Sequence, residues 1–197
     1  MLLASTRDPG AARCNAGAGL VEVMVAILVF ALGLLGLAGM QLRAHQASYD
    51  AVQATRANAL ARDILARLGR NPTQAAAYQL EDLGGGAHEF APVACDAGTC
   101  TAAELAVYDL ARWQRALRGE DVRDSADAPV GGLVAGRVCI RGDGPVIRLL
   151  LTWRGLSSMP STPEPADGSP CAQVPGLYGE DNAHRRQLQA SAWLPPA

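Results

Sequence analysis

The chain reads as an α+β protein, one long N-terminal helix packed on a small antiparallel sheet, and three observations predict it. From Val23 to Met40 every residue is apolar or glycine. Helix-compatible sequence then continues without a proline as far as Pro72. Strand-forming stretches, each bounded by glycine or proline, are confined to the C-terminal part of the chain.

The apolar run VMVAILVFALGLLGLAGM, with Leu20, Val21, Gln41 and Leu42 at its ends, has the roughly 20 residues that a helix needs to cross a bilayer core. One acid, Glu22, stands near its start. A charged side chain in lipid costs about 2.5–3.5 kcal/mol on insertion scales, so Glu22 is a functional candidate with a counter-charge to find. Beyond the run, Tyr49, Val52, Leu60, Ile64 and Leu68 recur at helical steps and predict one apolar stripe, with Arg56, Asp63 and Arg67 off it. The helix is expected from Ala18 or Gly19 to about Leu68, where Gly69 and Asn71-Pro72 supply the stop. At 1.5 Å per residue that is a rod of about 75 Å. Gly33, Gly36 and Gly39 fall within it, positioned either for close packing against other membrane helices or as a soft point.

Residues 73–99 carry mixed signals around Leu83-Gly84-Gly85-Gly86 and read as mostly loop. A second helix is expected from Ala102 to Leu117, since Ala106, Leu110, Trp113 and Leu117 share a face and Thr101 with Glu104 makes a capping-box pattern. Strands are expected at Leu133–Arg141 and Val146–Trp153, joined by a turn at Gly142-Asp143-Gly144-Pro145. That turn fully explains the tripeptide Arg141-Gly142-Asp143. The proline-rich stretch from Met159 to Pro170 cannot be a central strand and reads as a surface loop. A last strand, about Arg186 to Leu194, alternates Leu188, Ala190, Ala192 and Leu194.

The string Gly17-Ala18-Gly19-Leu20-Val21-Glu22, running into the apolar segment, resembles the class III signal of type IV pilins, whose leader prepilin peptidase cuts after glycine. The resemblance implies cleavage between Gly17 and Ala18, N-methylation of Ala18, and Glu22 as fifth residue of the mature chain, pairing with a neighbouring subunit's terminal amine during assembly. Ala18 and Gly19 depart from the commoner residues at their positions, while Gly17 and Glu22 match. The wording VEVMVA and LGLLGLAG is similar to minor pilins of the type IV pilus modification protein PilV kind, and YDLARWQRAL resembles their D-x-x-x-W-x-x-x-L helix. The resemblance implies a pilin fold divided into a leader at 1–17, a membrane-spanning or fibre-core half of the helix at 18–42, an amphipathic half at 43–72, and a globular α+β head at 73–197. Two other fates of the N-terminus compete: a signal-peptidase cut after Ala38, following Gly36-Leu37-Ala38, or an unprocessed single-pass anchor.

Removing a 17-residue leader from 197 residues leaves 180, enough for the anchor and one head domain. The formal charge of −2 becomes −3 without the leader's net +1, and all 17 basic residues are arginine. An acidic balance disfavours a general nucleic-acid grip. Of five cysteines, Cys14 lies in the leader, so cleavage leaves an even set suited to an oxidising periplasm: Cys95, Cys100, Cys139 and Cys171. Three pairings remain open on sequence; the favoured one joins Cys95 to Cys100 as a loop staple and Cys139 to Cys171 as the long-range link. A zinc site at Cys95-x4-Cys100 with His88 is disfavoured by its spacing. His45, His88 and His184 are scattered, and no nucleophile elbow or phosphate loop is present, so neither catalysis, metal nor cofactor is expected.

The expected role is therefore a minor pilin, held in the inner membrane with a periplasmic head and then built into a surface fibre, promoting pilus assembly and sited at the tip. Its implied partners are other minor pilins, the major pilin, prepilin peptidase and the inner-membrane assembly platform. A minor pseudopilin of a type II secretion system, or a tip module that binds DNA or an adhesin, are the alternatives.

Overall fold

The proline-free stretch forms one helix, α1, Leu20–Arg70. Asn71-Pro72 ends it as expected, since proline leads directly into a short 3-10 turn, Pro72–Gln74. The computed structural model describes residues 19–96, 98–159 and 171–194. Contacts divide the chain into two units, the first ending at Ala44 and the second running from His45 to Ala197, so the boundary falls within α1.

In the second unit the remaining elements follow as β1 (Leu80–Leu83), α2 (Ala102–Arg118), β2 (Arg137–Asp143), β3 (Val146–Arg154) and β4 (Arg185–Trp193). The four strands make one antiparallel sheet in the order β1-β2-β3-β4. This is the α+β pilin fold that the sequence predicts.

The apolar stripe of α1 lies beside the one expected. The buried residues are Gln53, Ala57, Ala61, Ile64 and Leu68, while Tyr49 and Val52 are 37% and 49% exposed. Alanine at positions 57 and 61 permits a close approach to the head that bulkier residues would prevent. Reading the stripe from large side chains therefore rotates it toward the wrong flank. Ile64 and Leu68 join Tyr78, Trp113, Leu117 and the inward residues of β2 and β3 in the main core.

α2 starts on the expected capping box, with Thr101 Oγ1 accepting from Glu104 N–H and Glu104 Oε2 accepting from Thr101 N–H. It ends on Gly119 at φ 74°, the left-handed conformation that favours glycine there. The segment expected to open the second strand, Leu133–Gly136, instead closes this helix end. Leu133 N–H donates to Leu117 O at 3.0 Å, and Ala135 sits at φ 51°. A Cβ on Gly132 would lie 2.5 Å from Leu117 O, so only glycine permits the approach. β2 consequently begins at Arg137 and runs through Gly142 to Asp143, which leaves a two-residue turn with Gly144 at φ 58°.

β1 stands where loop was expected. Its four residues, LEDL, have no strand alternation, and the register with β2 shifts between Leu80 and Leu83. Arginines on β2 hold it there: Arg137 meets Asp82 at 2.9 Å and Arg141 meets Glu81 at 2.7 Å.

A smaller core covers the other face of the sheet, built from Cys139, Leu150, Cys171, Ala172 and Tyr178. The cysteines are paired Cys95–Cys100 and Cys139–Cys171. The second bond ties the segment after the proline-rich stretch to β2, and Tyr178 Oη lies 2.8 Å from Thr152 Oγ1 on β3. Burial holds the Tyr178 phenol above its usual pKa. Arg185, also buried, spans this cover by donating to Cys171 O at 2.8 Å and lying 5.4 Å over the Tyr178 ring.

Loop closure over 32 residues is worth about 4 kcal/mol in the chain-entropy picture, against about 2 for the five-residue loop. Replacing Cys139 and Cys171 together by serine should lower unfolding free energy by about 2–4 kcal/mol, and the Cys95/Cys100 pair by less. Denaturant titration of the full chain in detergent checks the order of the two losses.

Candidate assembly surface

Two surfaces arise from these elements, one in each unit. In the first, all the large side chains of α1 from Leu20 to Leu42 are exposed, with Leu20 at 78%. No water-facing helix tolerates such a run, so it requires hydrocarbon or apolar neighbours. It is the candidate membrane span by length and composition. Glu22 sits in its first turn, where a negative charge suits the helix dipole, and its N–H donates to Gly19 O at 2.9 Å. Gly17 and Ala18, the expected cleavage and methylation positions, lie outside the described residues. The helix runs unbroken through Gly33, Gly36 and Gly39, and a Cβ at any of them would meet nothing within 4 Å. The three glycines thus leave one exposed backbone strip.

In the second unit, α1 is locked to the head by carboxylates. Asp109, in the middle of α2, is 1% exposed. Arg67 Nη1 donates to it at 2.7 Å, and Tyr78 Oη donates at 2.8 Å to its other oxygen. Arg67 also bridges to Asp63 one turn back, at 3.0 Å, and Asp63 accepts from Trp113 Nε1 at 3.0 Å. Asn71 completes the set by donating to Tyr78 Oη and to Ala102 O. Burial opposes the Arg67 charge, yet hydrogen bonds to Asp63 and Asp109 outweigh it and raise the pKa. Burial likewise holds the Tyr78 phenol far above its ordinary value. Asp109, Trp113 and Leu117, the expected D-x-x-x-W-x-x-x-L set, are all buried on one face.

A second lock lies near the unit's start. Asp50 accepts from Leu156 N–H at 2.8 Å and from Ser157 Oγ at 2.5 Å, with Arg186 Nη2 at 3.4 Å. Gly155 makes room, because a Cβ there would lie 2.9 Å from the Arg186 guanidinium carbon. Burial works against ionisation of Asp50, but Ser157, the two backbone N–H groups and Arg186 together lower its pKa. Between the locks, Tyr49 and Val52 open into a groove with Arg56, Arg118, Val130 and Val134. Arg56 donates to Val130 O and Gly132 O along it.

Sequence reasoning missed the locks. The Asp63/Arg67 spacing of four was the available signal for an ion pair. Nothing local marks Asp50, whose partners lie more than 100 residues away.

A long apolar helical segment and a helix packed on a four-stranded antiparallel sheet are the elements of an α+β pilin fold. Residues 39–111 match the Tt1218-like family model, described as type IV pilin Tt1218. The match supports a type IV pilin, a structural fibre component and not an enzyme, and such proteins assemble with other pilins in a pilus. It begins at Gly39, so it rests on different residues from the class III signal resemblance at Gly17–Glu22. No curated protein and no solved structure matches the chain.

Replacing Asp109 by alanine leaves the Arg67 charge without its buried partner, a change that should cost about 3–5 kcal/mol. Asp109→Ala is expected to lower the melting temperature markedly while Asp63→Ala, at a half-exposed site, lowers it less. The Asp50 carboxylate, with a folded pKa below the usual 3.8, stabilises the fold fully above that value and loses its contribution as pH falls through the lowered one. Asp50→Asn should therefore flatten the acid limb of a stability-against-pH curve below the ordinary carboxylate pKa.

Proposed function

We propose that the chain is a minor pilin, made with a leader that prepilin peptidase removes between Gly17 and Ala18, N-methylated on Ala18, and built into a type IV pilus near its tip, where it promotes assembly. The single observation that carries this reading is the uninterrupted exposed apolar run of α1 led by one acid at Glu22. Such a surface is soluble only in a bilayer or in a bundle of like helices, and the two environments are those between which a pilin subunit moves.

Glu22 gives that transfer a check on depth. An unpaired carboxylate in hydrocarbon is unfavourable, whereas one beside the new amine of a neighbouring Ala18 is matched. A subunit at the wrong height keeps an unpaired acid. The head then lies on the periplasmic side before extraction and at the cell surface afterward. Partners on this reading are the major pilin, other minor pilins and the inner-membrane platform. The PilV-like subtype rests on VEVMVA, LGLLGLAG and the Asp109/Trp113/Leu117 helix.

N-terminal sequencing of the mature chain from membranes should begin at Ala18; a start at Gly39 or at Met1 would overturn the leader assignment. Gly17→Ala should remain at full length on a gel. Glu22→Ala should still be cut yet reach the fibre at roughly a tenth of the wild-type level, the ratio given by about 1.4 kcal/mol of lost pairing. Wild-type incorporation of that variant would show the charge to be dispensable.

A further inference from the structure

The register of the sheet places Arg137 and Arg141 of β2, Arg148 and Arg154 of β3, and Arg185 of β4 on one face, the face that bears Cys139 and Leu150 of the smaller core. Three of these arginines meet carboxylates: Arg137 pairs with Asp82, Arg141 with Glu81 and Arg148 with Asp143. Arg154 and Arg185 differ. Among the described residues neither forms an ion pair with any acid. They are also direct cross-strand partners in the β3–β4 ladder. Such partners have Cβ atoms about 5 Å apart, and like charges placed opposite one another in this way are destabilising.

Burial makes the arrangement more demanding, because Arg185 is only 6% exposed. A buried cation without a counter-charge is strongly unfavourable. Its Nη2 donates to Cys171 O at 2.8 Å and its guanidinium lies over the Tyr178 ring, but neither contact supplies a negative charge. The buried Nε–H finds no acceptor among the described residues. Burial accordingly lowers the Arg185 pKa, opposed only by Tyr178, whose own phenol is held neutral above its usual range. Arg154, beside it on β3, is exposed.

We infer that Arg154 and Arg185 form a binding site for a phosphate dianion, free or carried as a monoester. Charge count decides the class of ligand. Two uncompensated guanidiniums call for about two negative charges, which one phosphate monoester carries near neutral pH, whereas a carboxylate or a phosphodiester carries one. The planar guanidinium fork also matches the spacing of phosphate oxygens. Arg185 is the fixed half of the site, held by the Tyr178 ring and by a carbonyl that the Cys139–Cys171 bond anchors to β2. Arg154 is the accessible half. A nucleic-acid backbone, being a diester, does not meet the charge requirement. This inference goes beyond the pilus reading and does not rest on it.

Thermal unfolding of the full chain in an uncharged maltoside detergent at about pH 7.5, with ionic strength held constant by sodium chloride, tests the site. Roughly 10 mM inorganic phosphate should raise the melting temperature by about 3 °C, and acetate or dimethyl phosphate should not. Glycerol 3-phosphate separates the sources: a response to it as well assigns monoester chemistry, and a response to inorganic phosphate alone assigns the free anion. Arg154→Gln removes one of two facing like charges, so it should melt at or above the wild-type temperature without phosphate and lose the response. Arg185→Gln should lose the response too, and should that variant misfold, Arg154→Gln decides. Arg148→Gln, on the same face but already paired with Asp143, should keep the response. No shift with phosphate, an equal shift with acetate or dimethyl phosphate, or a response that survives Arg154→Gln would overturn the inference. It would equally fail if the phosphate response appeared only after Glu164→Gln with Asp167→Asn, since the chain's own acids would then be the partner. Absence of the chain from fibres would count against the pilus role and leave these measurements unaffected.

Discussion

Asp109 sits in the centre of the head with almost no access to water, and a carboxylate there is tolerable only because Arg67 and Tyr78 both donate to it. The rest of the head depends on that arrangement. Arg67 comes from α1 and Asp109 from α2, so the contact fixes the two helices in rotation and in height at once. Asp63 and Trp113 repeat the link one turn away, and Asn71 ties the end of α1 to the carbonyl that opens α2. Apolar packing alone, with alanines at 57 and 61, would allow sliding. The directional bonds remove that freedom, since each misplacement leaves a buried charge unmatched.

The sheet is held from both faces by different means. On the helix side, Ile64, Leu68, Trp113 and Leu117 meet Val138, Ile140, Leu149 and Leu151. On the far side the apolar area is small, and Cys139–Cys171 with Tyr178 compensates by tethering the cover covalently. Asp50 joins α1 to the segment that follows β3 and to Arg186 of β4, so the terminal strand of the sheet is also clamped to the helix.

The two units divide the apolar surface in opposite ways. The second buries its large side chains in a head of its own. The first exposes all of those described. That imbalance sets what the first unit needs: its exposed apolar side chains require lipid or other helices around them.

Local sequence sufficed for much of this architecture. The span of α1, the capping box at Thr101 and Glu104, the hairpin around Gly144 and the final strand are set by periodicity, proline and glycine within a few residues. The remainder came from contacts between distant parts of the chain. β1 exists because Arg137 and Arg141 reach acids some 55–60 residues distant. Leu133–Gly136 was drawn from strand to helix closure by a carbonyl at Leu117, and the buried stripe moved to Gln53, Ala57 and Ala61 because small residues let the helix come close. The partners of Asp50 and Asp109 were likewise unreadable, since an ion pair is a statement about distance in space and sequence records only distance along the chain.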